Sequence, residues 1–348
     1  MPLIEVSRLT KVYQVPLRQP GFTGAALSLV RPSYKAVTAV DGIDFTIQAG
    51  EMVGYIGPNG AGKSTTIKLL CGVLAPTSGS VSVGGLDPHR RRMENARRIG
   101  LVYGQRSQLL WDLPVRETFY LLRRIYQVPE STYRENLADF GRTFEIDAVW
   151  DTPVRLLSLG QRMRAELAAA LIHSPPIVYL DEPTIGLDVL AKSRIREFLR
   201  QMNRRRGTTV ILTTHDLRDV EEVCDRIIMI HQGRLVYDGA LEGLRGTFGE
   251  RCTLTLELEE AAGGAVAPEV ALDDDVRLIK ADGKRVELAF DRRRISAPEV
   301  IARACAVLPV RDLVLRETDL ESVVKQVYGG NGIENGNGNG EGRGGGEP

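Results

Sequence analysis

Eight consecutive residues near the start of the chain have the composition of a phosphate-binding loop. The segment from Gly57 to Ser64 reads Gly-Pro-Asn-Gly-Ala-Gly-Lys-Ser and fits the pattern G-x-x-x-x-G-K-S/T. Its glycines allow successive backbone N–H groups to face one centre, and a helix that follows adds unpaired N-terminal donors. Lys63 would then reach the outer phosphates of a polyphosphate, and the Ser64 hydroxyl would ligate Mg²⁺.

Two carboxylates end an apolar run farther along the chain. Ile177 to Leu180 is followed directly by Asp181 and Glu182. Both acids therefore fall at the carboxyl end of a predicted buried parallel strand, where open α/β sheets bind their ligands. Asp181 would hold Mg²⁺ beside Ser64, and Glu182 would orient or deprotonate an attacking water. The two acids could instead cap the next helix, but their pairing with a phosphate loop favours the catalytic interpretation.

A histidine follows another predicted strand. Thr208 to Thr214 is a β-branched run, and His215 comes directly after it. A single histidine is usually structural. Here the strand end directs the side chain to the phosphate site, where a neutral imidazole would hydrogen-bond the γ-phosphate.

These groups require a scaffold of alternating strands and helices. Apolar runs and turn residues predict strands at 3–13, 36–48, 51–57, 79–83, 100–105, 177–181 and 208–214, and a closing hairpin over 226–237. Helical spacing predicts helices at 64–71 and 162–172 and a largely helical stretch from Thr118 to about Trp150, interrupted by Pro129.

Composition excludes several classes of protein. Lys+Arg and Asp+Glu both number 45, so the net charge of zero gives no general attraction to nucleic acid or to an anionic membrane. The four cysteines have no C-x-x-C spacing, which is typical of reduced thiols and argues against a zinc site. No apolar stretch approaches the roughly 20 residues of a membrane-spanning helix, and the N-terminus lacks a secretion signal.

Two basic segments have alternative interpretations. Residues 14–35 carry only basic charges, at Arg18, Arg31 and Lys35, interleaved with apolar residues. The segment could rest on lipid headgroups or on a membrane partner, although a solvated loop is the simpler interpretation. Five arginines between Pro88 and Arg98 predict a solvated helix face rather than a nucleic-acid site, because no aromatic residues are interleaved with them.

The length of 348 residues predicts a main domain with an appendage. After Glu250 the sequence predicts a strand over 252–258, a hairpin over 276–290 around Asp282-Gly283, and two helices. The capping boxes Ser296-x-x-Glu299 and Thr318-x-x-Glu321 mark the helix starts. Residues 329–348 are half glycine and are predicted to be a disordered tail.

Taken together, the motifs of residues 3–240 resemble the ATP-binding cassette (ABC) family. Gly57 to Ser64 is similar to its Walker A loop, 177–182 to Walker B, and Leu157 to Gln161 to the signature. Gln105 matches the Q-loop glutamine, 186–188 the D-loop, and His215 the switch histidine. Leu159 departs from the family, which usually has glycine at that position.

The resemblance implies a fold and a set of site residues. The fold is α/β, an ABC-type P-loop NTPase with a mostly parallel core sheet, an antiparallel β subdomain and an α-helical insertion at about 106–172. It would span residues 1–240 and be followed by a small α+β domain at 241–328. Catalytic roles are implied for Glu182, His215 and Gln105, and Mg²⁺ ligation for Ser64, Gln105 and Asp181. ATP contacts are implied for Tyr13, Gly57, Asn59, Gly60, Gly62, Lys63, Ser64, Thr65, Ser158, Gly160, Gln161 and Asp188, with Tyr34 as a second candidate for the residue that stacks on adenine.

The resemblance also implies partners. Because the signature serves the ATP of another copy, two chains would face each other head to tail and hold ATP between them. Residues 104–114 and the appended C-terminal segment are similar to ATPase subunits of ABC-2-type exporters, whose permease subunits span the membrane. The chain would then lie at the cytoplasmic face of the cell membrane as a peripheral subunit, with no nucleic-acid partner.

Two other classes remain as alternatives. A soluble ABC ATPase acting on ribosomes or nucleic acid usually carries two cassettes or a long coiled coil, whereas this chain has one Walker A motif and no sustained heptads. A non-hydrolysing regulatory module would be expected to lack Glu182 or His215. The exporter interpretation is favoured, and the sequence does not indicate the cargo.

Overall fold

The computed structural model describes residues 2–16, 34–103, 107–214, 216–247, 251–259 and 275–317, with residues 320, 321, 323, 324 and 328 near the end. Several predictions therefore lie outside the described residues. They concern the side chains of Gln105 and His215, most of the basic segment 14–35, the second capping box at Thr318, and the tail from 329 to 348. The chain divides between Leu241 and Glu242 into two compact units.

The first unit contains nine strands and seven helices among the described residues. The strands are β1 (Ile4–Pro16), β2 (Tyr34–Ile47), β3 (Met52–Ile56), β4 (Ser78–Val83), β5 (Ile99–Tyr103), β6 (Ile177–Asp181), β7 (Thr209–Thr213), β8 (Arg226–His231) and β9 (Arg234–Ala240). The helices are α1 (Lys63–Leu70), α2 (Arg92–Arg98), α3 (Val115–Ile125), α4 (Glu130–Phe144), α5 (Leu159–Leu171), α6 (Val189–Arg206) and α7 (Leu217–Val223). Helix α8 (Leu241–Thr247) begins at the boundary between the units.

The core sheet has six strands in the order β5-β6-β7-β3-β8-β9. All neighbouring pairs are parallel except β8 and β9, which form the predicted antiparallel hairpin. Every residue of β3 and β7 is buried, since helices cover both faces of a parallel sheet. The predicted mostly parallel sheet is confirmed, and its carboxyl edge collects the residues that follow β3, β6 and β7.

A second, antiparallel sheet has the order β2-β1-β4 and shares one hydrophobic core with the first. Strands β1 and β2 are longer than predicted, because their pairing continues as far as Pro16 opposite Tyr34. The two ends of the basic segment 14–35 are therefore strands. Side chains at 34–38 and 14–16 are exposed, so this end of the hairpin, called the β1–β2 arm below, projects from the core.

The helical insertion comprises α3, α4, two short 3-10 turns and α5, all between β5 and β6. Pro114 and Pro129 occupy the N-cap positions of α3 and α4, which explains why the predicted helical stretch is interrupted where it is. The buried faces of these helices carry aromatic and aliphatic side chains, among them Phe119, Leu122, Phe140 and Phe144.

The second unit is a four-stranded antiparallel sheet with a helix. Its elements are β10 (Arg251–Leu258), β11 (Val276–Asp282), β12 (Arg285–Asp291), α9 (Ala297–Val307) and β13 (Val310–Glu317), and the strand order is β11-β12-β10-β13. Alternate residues of β10 and β12 pack under α9 in a core of their own. This unit is the predicted small α+β domain.

Two details of this unit contradict the sequence prediction. Strand β13 was not predicted, because its pairing with β10 joins residues about sixty positions apart and leaves no local signal. Ser296 does occupy the N-cap of α9, but its side chain makes no capping hydrogen bond. The Glu299 carboxylate instead forms an ion pair with Arg303 at 2.5 Å, one turn farther along the helix.

Candidate nucleotide-binding site

The phosphate loop connects the end of β3 to the start of α1 and requires glycine for two reasons. Gly60 and Gly62 have φ angles of 79° and 111°, which side chains with a Cβ rarely adopt. A Cβ at Gly57 would overlap the carbonyl oxygen of Ile230 in β8, and one at Gly62 would overlap that of Ala39 in β2. The loop is therefore held tightly between the two sheets.

Lys63 extends over this loop. Its ammonium donates to the carbonyl oxygens of Gly57 at 2.6 Å and Pro58 at 3.2 Å. Burial lowers the pKa of Lys63, while the nearby carboxylates of Glu182 and Asp181 act in the opposite direction. The charge is thus partly desolvated and lies near the two acids at the end of β6, where a phosphate bound in the loop would meet it.

The oxygen ligands expected for Mg²⁺ are adjacent. Ser64 Oγ donates to Asp181 Oδ2 at 3.2 Å, and Thr213 Oγ1 donates to the other carboxylate oxygen. Ser64 is exposed at the start of α1, and Asp181 ends β6 beside the end of β7. A hydroxyl and a carboxylate held side by side at an open edge fit the hard oxygen ligands and retained waters that Mg²⁺ prefers.

Glu182 has an unusual backbone conformation. Its φ is 56°, in the left-handed region, and its N–H donates to Thr213 O at 2.9 Å. Strain of this kind concentrates at functional sites. Neither Asp181 nor Glu182 caps the next helix, because the Asp188 side chain caps α6 by accepting from Ala191 N at 2.8 Å. The capping alternative for the two acids is therefore wrong.

The signature residues form the start of α5. Ser158 is its exposed N-cap, Ser158 Oγ accepts from Gln161 N at 3.2 Å, and Gln161 Oε1 accepts from Ser158 N at 2.9 Å. This reciprocal capping box moves the start of the helix from the predicted Arg162 to Leu159. The S-x-x-Q spacing is a local capping signal for this start.

The signature packs on the D-loop of the same chain. The Leu159 side chain lies against Gly186, whose φ is 73°, and a Cβ on Gly160 would be 3.4 Å from the Leu187 side chain. A residue larger than glycine at position 159 is thus accommodated by the absence of a side chain at position 186. The two segments present one continuous surface.

The other candidate residues lie in described elements. Asn59 and Gly60 are exposed at the tip of the phosphate loop, and Thr65 is partly buried in the first turn of α1. Tyr13 is half-buried in β1 with Lys11 Nζ 5.5 Å from its ring centre, whereas Tyr34 is 55% exposed on the β1–β2 arm. Both tyrosines remain candidates for the residue that stacks on adenine.

Three residues of the site were not singled out from the sequence. Thr213 holds Asp181, Asp219 accepts from Thr184 Oγ1 at 2.5 Å beneath the D-loop, and the buried Glu166 in α5 accepts from Ser107 Oγ and from Gln108 N at 3.1 Å. Glu166 could have been found from the sequence, because it is an acid within the apolar helix 162–172. A buried acid is rare unless it is paired, so its position there predicts a polar partner.

Comparisons with known proteins give several sequence matches. The sequence profile described as ABC transporter matches residues 40–185. The chain is 35% identical over 210 residues to the ABC transporter ATP-binding protein NatA of Bacillus subtilis, covering 60% of this chain and 85% of the relative. It is 32% identical over 296 residues to the daunorubicin resistance ATP-binding protein DrrA3 of Streptomyces coeruleorubidus, covering 84% and 91%.

Solved structures show the same architecture. An ATP-binding subunit of an ABC transporter superimposes with a TM-score of 0.59 at 27% identity, covering 71% of this chain and 93% of that one. The dimeric, post-hydrolysis ATP-binding cassette MJ0796, bound to ADP and Pi, superimposes with a TM-score of 0.57 at 26% identity, covering 68% and 98%.

Proposed function

This chain belongs to the ABC transporter family of ATP-binding proteins, and from that premise we propose that it powers an ABC-2-type exporter. Its ATPase activity is a property of the family. The observation that carries the proposal is the joint placement of Lys63, Ser64, Asp181 and Glu182 at one edge of the core sheet. Export is supported by relatives named for drug resistance and for Nod factor export.

Each residue of the site has a chemical role in the proposal. The loop N–H groups and Lys63 hold the β- and γ-phosphates, and Ser64 with Asp181 would hold Mg²⁺, which neutralises phosphate charge. Glu182 orients the attacking water and accepts its proton. Gln105 and His215 remain assigned, from the sequence, to Mg²⁺ and to the γ-phosphate.

We also propose the head-to-tail dimer, supported by an exposed apolar surface around the signature and D-loop. Leu159 in the signature and Leu156 beside it are exposed, as are Ile185, Val189 and Leu190 beside the D-loop, with Val189 at 81%. Contiguous apolar surface of this kind marks an interaction site. Ser158 lies within it, so a second copy would bring Ser158, Gly160 and Asp188 to the ATP.

A second exposed surface supports docking of the permease. It comprises Trp111 and Leu113 before α3 and Tyr120, Leu121 and Ile125 on α3, in the segment that follows Gln105. No helix within the described ranges is long and apolar enough to cross a membrane. The proposal therefore assigns the membrane-spanning part to partner subunits that bind this aromatic surface, with the chain as a peripheral subunit.

The decisive experiment is the Glu182→Gln variant. We expect its kcat for ATP hydrolysis to fall by about 10²–10⁴-fold, because the amide cannot accept the proton of water. ATP binding should persist, and gel filtration with Mg·ATP should show the dimer accumulating. Glu5→Gln, an exposed glutamate on β1, is the matched control and should retain wild-type turnover. Near-normal turnover in Glu182→Gln would remove Glu182 from the catalytic role.

The arginine-rich segment gives no support to the nucleic-acid alternative. All five arginines between Arg90 and Arg98 are exposed, as predicted. Three of them are already paired with acids, Arg90 with Asp87 at 3.4 Å and both Arg91 and Arg98 with Glu94. The charge available to a phosphate backbone is correspondingly reduced.

A further inference from the structure

A groove of about 610 Å³ lies between α4 and the second half of α6, and none of the residues assigned to the nucleotide lines it. Its buried side is apolar, with Phe140 from α4, Leu171 at the end of α5, and Met202 from α6. The ring of Phe198 packs edge-on against Phe140, with centroids 6.2 Å apart. The volume is within the range of small-molecule sites, about 300–1,000 Å³.

Three arginines and two acids also line this groove between α4 and α6. One of the acids, Asp139, is already paired, with Arg142 at 2.5 Å and with Arg206 at 3.9 Å. The other acid, Glu135, and the third arginine, Arg205, have no ion pair among the described residues. Both of these side chains are exposed, so their charges can meet a ligand.

Two hydroxyl groups in the wall of the groove lack an acceptor. Ser174 Oγ accepts from Asn136 Nδ2 and from Arg206 Nη1, both at 2.9 Å, which occupies both of its lone pairs. Its O–H can therefore only donate, and no described residue accepts from it. Thr208 is 3% exposed, and its hydroxyl has no hydrogen-bond partner within the described ranges, although buried polar groups are nearly always paired.

These unpaired donors lie at one end of the groove. Ser174 is bonded to Arg206, which is next to Arg205 in sequence and two residues before Thr208. Two hydroxyls and one guanidinium are thus available there, against a single unpaired acid, Glu135. A ligand that supplies anionic oxygens would satisfy all three groups and would gain charge-assisted hydrogen bonds.

We propose that the groove binds a small organic anion, which has an apolar or aromatic body and one carboxylate, sulfonate or phosphate group. The anionic group would accept from Arg205, Ser174 and Thr208, and the body would lie against the apolar residues of the buried side. The inference goes beyond the proposed function and does not depend on it, because the groove and the nucleotide site share no residue.

The test titrates the full-length protein with two fluorescent probes that share one aromatic body. Anilinonaphthalene sulfonate carries an anionic group, and phenylnaphthylamine is its neutral counterpart. Mg·ADP is present in excess, so that the nucleotide site is not available to either probe. We expect the sulfonate to bind at one saturable site, about fivefold or more tightly than the amine, because its hydrogen bonds are charge-assisted.

Four variants examine the contacts. Arg205→Gln should raise the Kd of the sulfonate about fivefold and leave that of the amine unchanged, since it removes only a charge-assisted donor. Thr208→Val should raise the Kd of the sulfonate about threefold through loss of a neutral donor. Glu135→Gln removes a like charge and should lower it. Arg204→Gln is the control, because this exposed arginine of the same helical turn does not line the groove, and both Kd values should be unchanged.

Each result decides the proposal. An unchanged Kd for the sulfonate in Arg205→Gln overturns it, and so does an amine that binds as tightly as the sulfonate. Weaker binding of the sulfonate in Glu135→Gln would also overturn it, because the groove would then not select for negative charge. Arg205 and Glu135 are exposed and unpaired among the described residues, so their replacement should leave the fold intact. Failure of these tests would leave the expected effect of Glu182→Gln on hydrolysis unaffected.

Discussion

His173 lies where the helical insertion meets the core sheet. Its ring stacks on Tyr126, with centroids 3.8 Å apart and planes 4° apart, and its Nε2 is 3.1 Å from Ile99 O. Burial lowers the pKa of His173 to about 4. The folded protein therefore keeps this imidazole neutral at pH values where an unfolded chain would protonate it.

This residue makes stability depend on pH. The pKa of His173 in the folded protein lies below the ordinary value of 6.5. Its contribution to the free energy of unfolding is therefore complete above pH 6.5 and is lost as the pH falls towards 4. The full loss is about 3 kcal/mol, at about 1.4 kcal/mol per pKa unit. His173→Phe keeps the stacking and removes the titration. Urea unfolding at several pH values should show a smaller decline between pH 6.5 and 4 in this variant, and parallel profiles would contradict the assignment.

Sequence patterns predicted those residues of the candidate site that local spacing marks. The glycines of the phosphate loop, Lys63, Ser64, Asp181 and Glu182 could be proposed because each follows a predicted strand in a fixed pattern. Thr213, Asp219 and Glu166 were missed, since each acts on a partner tens of residues away and has no local pattern. The positive φ of Glu182 also depends on its bond to Thr213 in a neighbouring strand.

Helix α5 holds the segment that follows the Q-loop. The Glu166 carboxylate accepts from Ser107 Oγ and Gln108 N, while Glu166 O accepts from Gln108 Nε2 at 3.2 Å. Thr118 Oγ1 of α3 accepts from Leu110 N at 2.9 Å. The segment is thus fixed at Ser107, two residues after Gln105, to the helix that carries the signature.

Glu166→Gln should loosen this attachment. The amide keeps one oxygen acceptor and no charge in place of the two carboxylate oxygens that lie 3.1 and 3.2 Å from Gln108 N, and a hydrogen bond to a neutral acceptor is weaker than one to a charged acceptor by about 1 kcal/mol. Hydrogen–deuterium exchange is expected to accelerate at the amides of residues 108–110, with little change in α6. Glu117→Gln, at a partly exposed pair with Arg116, is the control. Exchange at 108–110 that matches wild type would show that Glu166 does not anchor the segment.

The helices and strands were predictable to different degrees. Buried strands of the core sheet were located to within one or two residues, because uninterrupted apolar runs specify them. Strand β13 and the arm extension depend on pairing with distant strands, and α5 begins earlier than predicted through its capping box. Long-range pairing therefore explains the strand boundaries that were missed, whereas the start of α5 is set by a local capping box.

The β1–β2 arm gives a test of membrane recruitment by the whole molecule. Pro16 pairs with Tyr34, so residues 17–33 can be replaced by Asn-Gly, which favours a tight hairpin turn. This removes Arg18 and Arg31 together with the apolar residues between them. We expect ATP binding and hydrolysis to persist, and co-purification with membranes that contain the permease to weaken several-fold.

The control for that experiment is a variant in which a similar number of residues is deleted from the glycine-rich segment 329–348. Recruitment should be unchanged by this second deletion. Equal recruitment of the arm variant and the wild type would favour the solvated-loop interpretation of segment 14–35.

The arm and the phosphate loop are connected through a single strand. Gly62 lies against Ala39 O. Gly233 joins β2 to the phosphate loop, because its carbonyl oxygen accepts from Asp41 N at 2.8 Å and its N–H donates to Ala61 O at 2.9 Å. Tyr34, at the outer end of β2, is only five residues from Ala39, about 17 Å of extended chain. We therefore expect a lipid or protein that binds the outer end of the hairpin to change the affinity for nucleotide without touching the nucleotide.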